Sequence, residues 1–512
     1  MCGITGCVFN NGINFSYSEF EKINSYISYR GPDSTSALEL KKNNLRLFFG
    51  FNRLSIIDLS QNGNQPMTSN NGRYTILYNG EIYNHLELKS EITKNNFFLK
   101  GTSDTEILLE YFAKFKNNFL EKLNGMFAFA IYDNVDNVIH FARDRAGEKP
   151  LYIYFNDGML GFSSELKTIY HFPNFNKKIS KEAVYKYFNY NYIPSPITIY
   201  ENCFKLPQAT YLKIDLNKFP FKKIDNFENL KSISGVEIKK YWNLNNKNKS
   251  SKYELIETNL KNLDFLINSA VKKQLISDVP IGTFLSGGLD SSLITAIVSK
   301  YKKKPNTFSI GFDFDQYDES KKAKKISEKL KTNHHSHIFS KNDFIDNISN
   351  IPKAFSEPFA DSSQLPTMLV SKLARKEVAV VLTGDGGDEI FGGYQRYIYY
   401  KKYEKILKLF NKSIFNLLKK IIKNFPYSLQ IFFISLILQK KININELQKI
   451  LIKLDSFSND ISYYSSMISQ SFQNQNFIDY NSLNEKNLSK FFNIQNLSSV
   501  ESMMYSDFYN YL

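Results

Sequence analysis

Short apolar runs alternate with helix-like patterns from residue 253 onward. A helix is predicted over 253–276, with Leu263, Leu266, Ile267, Ala270 and Val271 at helical spacing marking its buried face. Strands follow at 281–285, 306–312, 335–339 and 378–382, separated by helices at 293–301, 318–330 and 367–376. That alternation implies a parallel sheet covered on both faces, with ligands bound at the carboxyl ends of its strands. Upstream, a strand opens at Cys2-Gly3-Ile4-Thr5-Gly6-Cys7-Val8 and another covers 74–78. Ser18 with Glu21 forms a capping box that starts a helix through Ile27, and Ser103 with Glu106 forms a second. Tyr192-Ile193-Pro194-Ser195-Pro196 breaks regular structure, short strands lead to Thr210, and a polar stretch covers 243–249. Beyond residue 401 the pattern is helical and rich in Lys, Ile and Leu.

The strand at 281–285 ends in Ser286-Gly287-Gly288-Leu289-Asp290-Ser291-Ser292. Adjacent glycines admit an anion close to the backbone, and the following helix start offers free N–H groups and a favourable dipole. Asp290 can hold a cation. No Lys follows the glycines, so this is not the loop that grips β- and γ-phosphates. On placement alone the stretch is an anion site or a glycine-rich turn with a helix cap. Thr383-Gly384-Asp385-Gly386-Gly387-Asp388-Glu389 also follows a buried strand. It is either an exposed turn or an acidic loop that gathers Mg²⁺ around polyphosphate. His334, His335 and His337 occupy opposing faces of one strand with no Cys nearby, which argues against a metal site.

Cys2 carries a further option. Removal of Met1 would leave one residue with both a thiol and a free α-amine, whose pKa of about 7.7–8.0 suits a general base near neutrality. The plainer reading is a small residue opening a strand. Asn79-Gly80, after the strand at 74–78, is a hairpin turn or a side-chain amide beside a glycine N–H, the makings of an oxyanion hole. Asp104 complements a helix dipole or holds an ammonium group. Cys7 reads as buried packing, and His85 and His140 as surface or helix-start residues.

At 512 residues the chain has room for two or three domains. Its formal charge of +15 comes mostly from Lys spread along the chain, which argues against a nucleic-acid surface. Three cysteines make no disulfide framework and suit a reducing compartment. The first residues carry no signal-peptide pattern. The longest apolar stretch, 431–438, falls short of the roughly 20 residues that span a bilayer. The expectation is a cytoplasmic protein.

Ser286 to Ser291 resembles the pyrophosphate loop of enzymes that cleave ATP between its α- and β-phosphates. The N-terminal strings resemble the class II glutamine amidotransferase domain, an N-terminal-nucleophile glutaminase. They include Arg30-Gly31-Pro32-Asp33, Phe127-Ala128-Phe129-Ala130, Arg143 to Tyr152 and Phe162-Ser163-Ser164-Glu165. Together with Lys240-Tyr241-Trp242, Glu357 to Ser363 and Ile390-Phe391-Gly392-Gly393-Tyr394, they are similar to the asparagine synthetase family.

The resemblance implies a four-layer αββα sandwich at 2–195, connecting strands and linker at 196–250, and an α/β synthetase domain with a helical extension at 251–512. It implies that Cys2 attacks the glutamine amide, that Asn79 and Gly80 stabilise the oxyanion, that Arg53 pairs with the substrate carboxylate, and that Glu81 and Asp104 hold its α-amine. Around ATP it implies Leu285, Ser286, Gly287, Gly288, Asp290, Ser291, Ile310, Thr383, Gly384 and Asp385, with Asp290 and Asp388 as Mg²⁺–pyrophosphate ligands. Some family members carry Glu where Asp385 stands.

The implied reaction makes asparagine from aspartate through an acyl-adenylate, with ammonia passed internally from glutamine. The string at 503–512 resembles a family segment that in many relatives runs on to Lys-Val-Asp-Arg and then a Glu-Ala-Arg stretch. The expectation is therefore a shortened synthetase domain, with a second polypeptide as one way to complete it and a homodimer as one assembly. Two other readings stay open: a sister amidotransferase acting on another carboxylate, and a glutaminase or ATP-binding protein without synthetase activity.

Overall fold

β1 (Gly3–Asn10) begins directly after Cys2 and runs in the middle of a six-stranded sheet of order β10-β8-β9-β1-β3-β2. The other strands are β2 (Ser34–Lys42), β3 (Leu45–Arg53), β8 (Tyr152–Asn156), β9 (Met159–Ser163) and β10 (Cys203–Lys205). A second sheet has the order β12-β11-β7-β6-β5-β4. It comprises β4 (Met67–Thr68), β5 (Tyr74–Ile82), β6 (Gly125–Asp133), β7 (Val138–Arg143), β11 (Thr210–Asp215) and β12 (Val236–Lys240). Every pairing in both sheets is antiparallel. This is a computed structural model, and it describes all residues except 11–12, 94–97, 117, 245–255, 314–318, 410–423, 439–440, 445–446, 448–459, 470–491, 493–496 and 511–512. The polar stretch 243–249 and the expected helix starts at 253 and 318 therefore fall partly or wholly outside the described residues.

The two sheets stack because each turns an apolar face inward. Ile4, Val8, Phe49 and Phe51 meet Ala128, Ala130 and Phe141 in one buried core. α1 (Tyr17–Ser25) covers the first sheet through Phe20 and Ile23. α2 (His85–Thr93) and α3 (Asp104–Phe115) cover the second through Leu88, Ile92, Leu108 and Phe112. The result is the αββα layering that the family resemblance implied. β10, β11 and β12, which lie in the stretch 196–250, are edge or near-edge strands of these same sheets.

Two local expectations are corrected. The helix box closes on Ser16 and Glu19, not Ser18 and Glu21. Both serines have a Glu three residues on, and both hydrogen bonds of the box form at Ser16 and Glu19, at 2.7 and 3.2 Å. Asn79-Gly80 is no turn either, since β5 continues to Ile82 and pairs with β6 throughout.

The third sheet is parallel, with the order β15-β14-β13-β16. Its strands are β13 (Ile281–Phe284), β14 (Asn306–Phe312), β15 (Asn333–Phe339) and β16 (Val380–Leu382). α4 (Ile256–Gln274), α5 (Leu289–Tyr301), α6 (Ser320–Leu330) and α7 (Gln364–Ala374) flank it. The buried face of α4 differs from expectation. Leu263, Leu266 and Ala270 are exposed, and Ile267 and Val271, continued by Leu275, pack on α5 and β16. Apolar spacing alone marked a stripe wider than the surface available to cover it.

The chain divides into two compact units: Met1–Val184 with Tyr192–Asp385, and Tyr185–Asn191 with Gly386–Leu512. The second unit includes α8 (Gly387–Phe391), α9 (Gln395–Leu409), α10 (Tyr427–Leu438), α11 (Asp460–Ile468) and α12 (Ser499–Asn510). Tyr397, Tyr400, Tyr463, Tyr464 and Met503 form its buried cluster. Asp507, 3% exposed, accepts hydrogen bonds from Arg396 (3.0 and 2.9 Å), Tyr464 (2.6 Å) and Tyr397. No helix among the described residues is long and apolar enough to cross a membrane.

Candidate active site

The six residues singled out in the N-terminal half line one pocket: Cys2, Arg53, Asn79, Gly80, Glu81 and Asp104. The stacked sheets cause this convergence. Cys2 precedes β1, Arg53 ends the neighbouring β3, Asn79 to Glu81 lie in β5, and Asp104 opens α3.

The Cys2 thiol is held between backbone groups. The Leu54 N–H donates to Sγ at 3.4 Å, and Sγ lies 3.6 Å from the Leu54 carbonyl oxygen. Burial raises the thiol pKa, while the amino terminus and the Leu54 N–H oppose the rise. Burial pushes the amino terminus itself, here on Met1, down to about 5, with Arg30 and Lys149 adding to the shift. An amine so placed is unprotonated at neutral pH. Lys149, 6% exposed, also lines the pocket, and its Nζ lies 3.0 Å from the Met1 Sδ. Asp144 fixes that loop by accepting from the N–H groups of Phe127, Ala146, Gly147, Glu148 and Lys149.

Asn79 carries the most informative defect. Its side-chain oxygen and nitrogen are both buried and have no hydrogen-bond partner. A buried unsatisfied amide costs about 1–3 kcal/mol, so its retention asks for a ligand. Gly80 admits no side chain, because a Cβ there would stand 2.3 Å from the Met126 carbonyl oxygen.

Arg53 is 5% exposed and oriented by the loop that follows it. Its guanidinium donates to the Ser60 carbonyl (2.6 Å), the Asn64 side chain (2.8 Å) and the Asp58 carbonyl. That loop is tied to the turn before β13: the Asp58 N–H donates to the Asp278 carboxylate (2.8 Å), and the Asp278 N–H to the Ile56 carbonyl (2.9 Å). Asp104 accepts from the Tyr78 hydroxyl (2.8 Å) and the Ile82 N–H (2.9 Å), and burial raises its pKa. Burial and the Asp104 charge push Glu81 up to about 8. Two carboxyl groups made costly to ionise together form a site whose charge a bound cation would complete.

Sequence reasoning quoted Arg30, Lys149 and Glu165 within family strings but gave them no role. Arg30 Nε donates to the Cys2 carbonyl at 3.0 Å, and Arg30 Nη1 meets Glu165 at 2.9 Å. His140 was misread. It lies in β7, 9% exposed, with Nδ1 2.6 Å from the Tyr211 hydroxyl, and burial pushes its pKa down to about 4. His85 opens α2 as expected but is buried, with Nδ1 2.8 Å from the Ile82 carbonyl.

The second constellation gathers at the carboxyl ends of the parallel strands. Leu285 is buried just after β13, with its N–H bonded to the Phe308 carbonyl at 2.8 Å. Gly287 takes the left-handed conformation (φ +85°) that turns the chain into α5. Gly288 caps α5 without a side-chain bond, so the helix start is not closed by its own cap. Ser286 and Ser291 share a hydroxyl contact of 3.0 Å across the loop. Ile310 lies on β14. Gly384, after β16, packs directly on the helix start, where a Cβ would come 2.9 Å from both the Asp290 Cβ and the Ser291 nitrogen. Thr383 donates to the Asp385 carboxylate at 2.8 Å. Asp388 lies on α8 in the second compact unit, where its carbonyl accepts from the Gly393 N–H at 3.0 Å.

Among the described residues, no group of three or more His, Cys, Asp or Glu side chains could hold a metal alone. His334 is taken up by Thr307 (2.9 Å) and Ser309 (3.1 Å). Asp290, in the first turn of α5, is the acidic side chain of the glycine loop.

Two family models match: a glutamine amidotransferase domain over residues 1–224 and asparagine synthase over residues 262–512. A Methanocaldococcus jannaschii protein, provisionally named asparagine synthetase (glutamine-hydrolysing) 2, is 39% identical over 80% of this chain and 78% of its own length. Asparagine synthetases (glutamine-hydrolysing) 1 and 3 of Bacillus subtilis are 33% and 30% identical over 78% and 77% of this chain. The matched region spans less than two thirds of those two proteins, 59% and 63%.

Proposed function

Because the chain belongs to the glutamine-hydrolysing asparagine synthetase family, we propose that it hydrolyses glutamine at the thiol pocket and uses the ammonia to amidate aspartate activated by ATP at the glycine loop. The observation that carries this reading is the convergence of Cys2, Arg53, Asn79, Gly80, Glu81 and Asp104 on one pocket that contains an unpartnered buried amide. Residues 2–195, completed by strands from 196–250, carry the hydrolysis, and 251–512 the synthesis. The two steps share one reducing compartment, the cytoplasm, and need no nucleic acid.

With Met1 removed, the Cys2 amine takes the thiol proton and Sγ attacks the glutamine side-chain carbonyl. Asn79 and Gly80 receive the developing oxyanion, and ammonia leaves as the thioester forms. Water then releases glutamate. Arg53 pairs with the substrate carboxylate, as its planar fork suits. Glu81 and Asp104 take the substrate ammonium.

At the second site an aspartate carboxylate oxygen attacks the ATP α-phosphate and pyrophosphate leaves. Ammonia displaces AMP from the acyl-adenylate to give asparagine. Leu285 and Ile310 border the nucleotide, and Ser286 to Ser291 with Thr383, Gly384 and Asp385 surround its phosphates. Mg²⁺ would supply charge neutralisation for pyrophosphate, and Asp290 is the side chain of the glycine loop that would help to hold it. A homodimer is compatible with this reading.

Aspartate labelled with ¹⁸O in its side-chain carboxylate tests the adenylate route. One label should appear in each AMP, and unlabelled AMP would refute the route.

The Glu81 assignment predicts a pH effect. With its carboxyl at about 8 before substrate binds, a substrate ammonium must draw out that proton. The KM for glutamine should therefore fall as pH rises from 6 to 8, by up to about tenfold per unit, and Glu81→Gln should flatten the dependence while raising KM. A KM that does not vary with pH in the unaltered protein removes Glu81 from the ammonium site.

A further inference from the structure

The second sheet carries a cleft on the face turned away from its shared core, and the proposed reaction does not use it. Alternation along the strands creates that face. Leu212, Ile214 and Ile238 pack into the core shared with the first sheet, so Tyr211 and Lys213 of β11 and Glu237 and Lys239 of β12 fall on the opposite side. With His140 of β7 they line a cleft of about 710 Å³, whose far wall is built from Phe112 and Lys116 at the end of α3 and from the short helix Phe119–Lys122. That volume falls among those of clefts that hold small organic ligands, roughly 300–1,000 Å³.

The charges at the cleft are unequally satisfied. Asp133 accepts from Arg73 at 2.8 and 2.6 Å, the same guanidinium meets Asp136, and Asp215 lies 3.4 Å from Lys218. Lys213 has only a loose contact with Glu237, at 3.9 Å. Lys116 and Lys239 form no ion pair among the described residues, although the Lys116 Nζ lies 5.5 Å from the centre of the Tyr74 ring. With the three aspartates neutralised, three ammonium groups stand against two exposed carboxylates, Glu121 and Glu237, and the cleft keeps an excess of positive charge. His140 adds a neutral donor. Burial and the nearby Lys213 hold its pKa at about 4, and its Nδ1 lies 2.6 Å from the Tyr211 hydroxyl. A neutral imidazole and a phenol carry one polar hydrogen each and share a single hydrogen bond, so whichever donates, one N–H or O–H is left over. The wall beside that donor is aromatic, with Phe112 edge-on to the His140 ring at 5.0 Å and Tyr211 stacked at 5.9 Å.

We propose that this cleft is a binding site for a small aromatic anion, a planar ring bearing a carboxylate or a phosphate. The ring packs against Phe112, His140 and Tyr211. The anion takes the lysine ammonium groups and the hydrogen that the His140–Tyr211 pair leaves free. The site shares no residue with the thiol pocket and is independent of the function proposed above.

Calorimetric titration of the full chain with phenyl phosphate and with benzoate tests the site and distinguishes the two anions. At least one of them should bind with a Kd below about 1 mM. Inorganic phosphate and phenol, each carrying half of the recognised group, should bind at least about tenfold more weakly. Lys213→Met should weaken binding about tenfold, and Tyr211→Phe about threefold. Lys239→Glu, on the exposed edge strand, leaves the core untouched and should also cost about tenfold, so the test stands even where a more buried variant fails to fold. Absence of saturation with both compounds up to about 10 mM overturns the proposal. So does an affinity unchanged in every folded variant, which would put the ligand elsewhere. Inorganic phosphate binding as tightly as phenyl phosphate would show an anion site without ring recognition and overturns it too.

Discussion

Cys2→Ala is expected to abolish glutamine hydrolysis and glutamine-dependent synthesis, by at least about 10³-fold, while ammonia-dependent formation of AMP and pyrophosphate continues. The first half follows from the site. Among the described residues, Cys2 is the one thiol at the pocket, since Cys7 and Cys203 are buried within strands. The second half follows from the fold, because the glycine loop, Ile310 and Thr383 belong to a separate parallel sheet. Free ammonia at alkaline pH would bypass the missing nucleophile. Equal loss of both activities would mean that the thiol supports the synthetase fold, and unimpaired glutamine use would remove Cys2 from catalysis.

Asn79→Ala should lower kcat for glutamine about 10²–10³-fold, the usual cost of one oxyanion donor, with a small change in KM. The same change should leave the melting temperature unaltered or raise it. Asn79 is 1% exposed and its amide has no partner, so its removal deletes an unsatisfied polar group and breaks no bond. Truncation of a buried, hydrogen-bonded residue would do the opposite and destabilise. Kinetics and thermal melting on one variant therefore separate an oxyanion donor from a structural residue. Unchanged kcat with a lowered melting temperature would assign Asn79 to structure.

What could be read from the sequence was chiefly what lies close together along it. The loop from Ser286 to Ser292 carries strand end, glycines and helix start in one string, and it folds accordingly. Asn79-Gly80-Glu81 likewise delivers three pocket residues from one strand. The contacts that orient these groups were not legible. Leu54 reaches Cys2 across 52 residues, Arg30 reaches Glu165 across 135, and Ser356 reaches Glu165 across 191. None leaves a periodic trace, because each depends on where a sheet edge or loop end comes to rest.

Burial was similarly hard to read one element at a time. His140 looked like a surface residue until β7 was placed in the middle of its sheet, under α3, with Phe112 5.0 Å from its ring. The stripe on α4 was read too wide because the sheet covers only Ile267, Val271 and Leu275. Ser18 with Glu21 was read as the cap, but Ser16 with Glu19 has the same spacing and is the box that forms, which spacing alone does not decide.

Product analysis with Mg-ATP, glutamine and aspartate tests the central claim most directly. The account predicts asparagine, glutamate, AMP and pyrophosphate in equal amounts. Glutamate alone, with no AMP or pyrophosphate, would contradict it and leave a glutaminase without a synthetase.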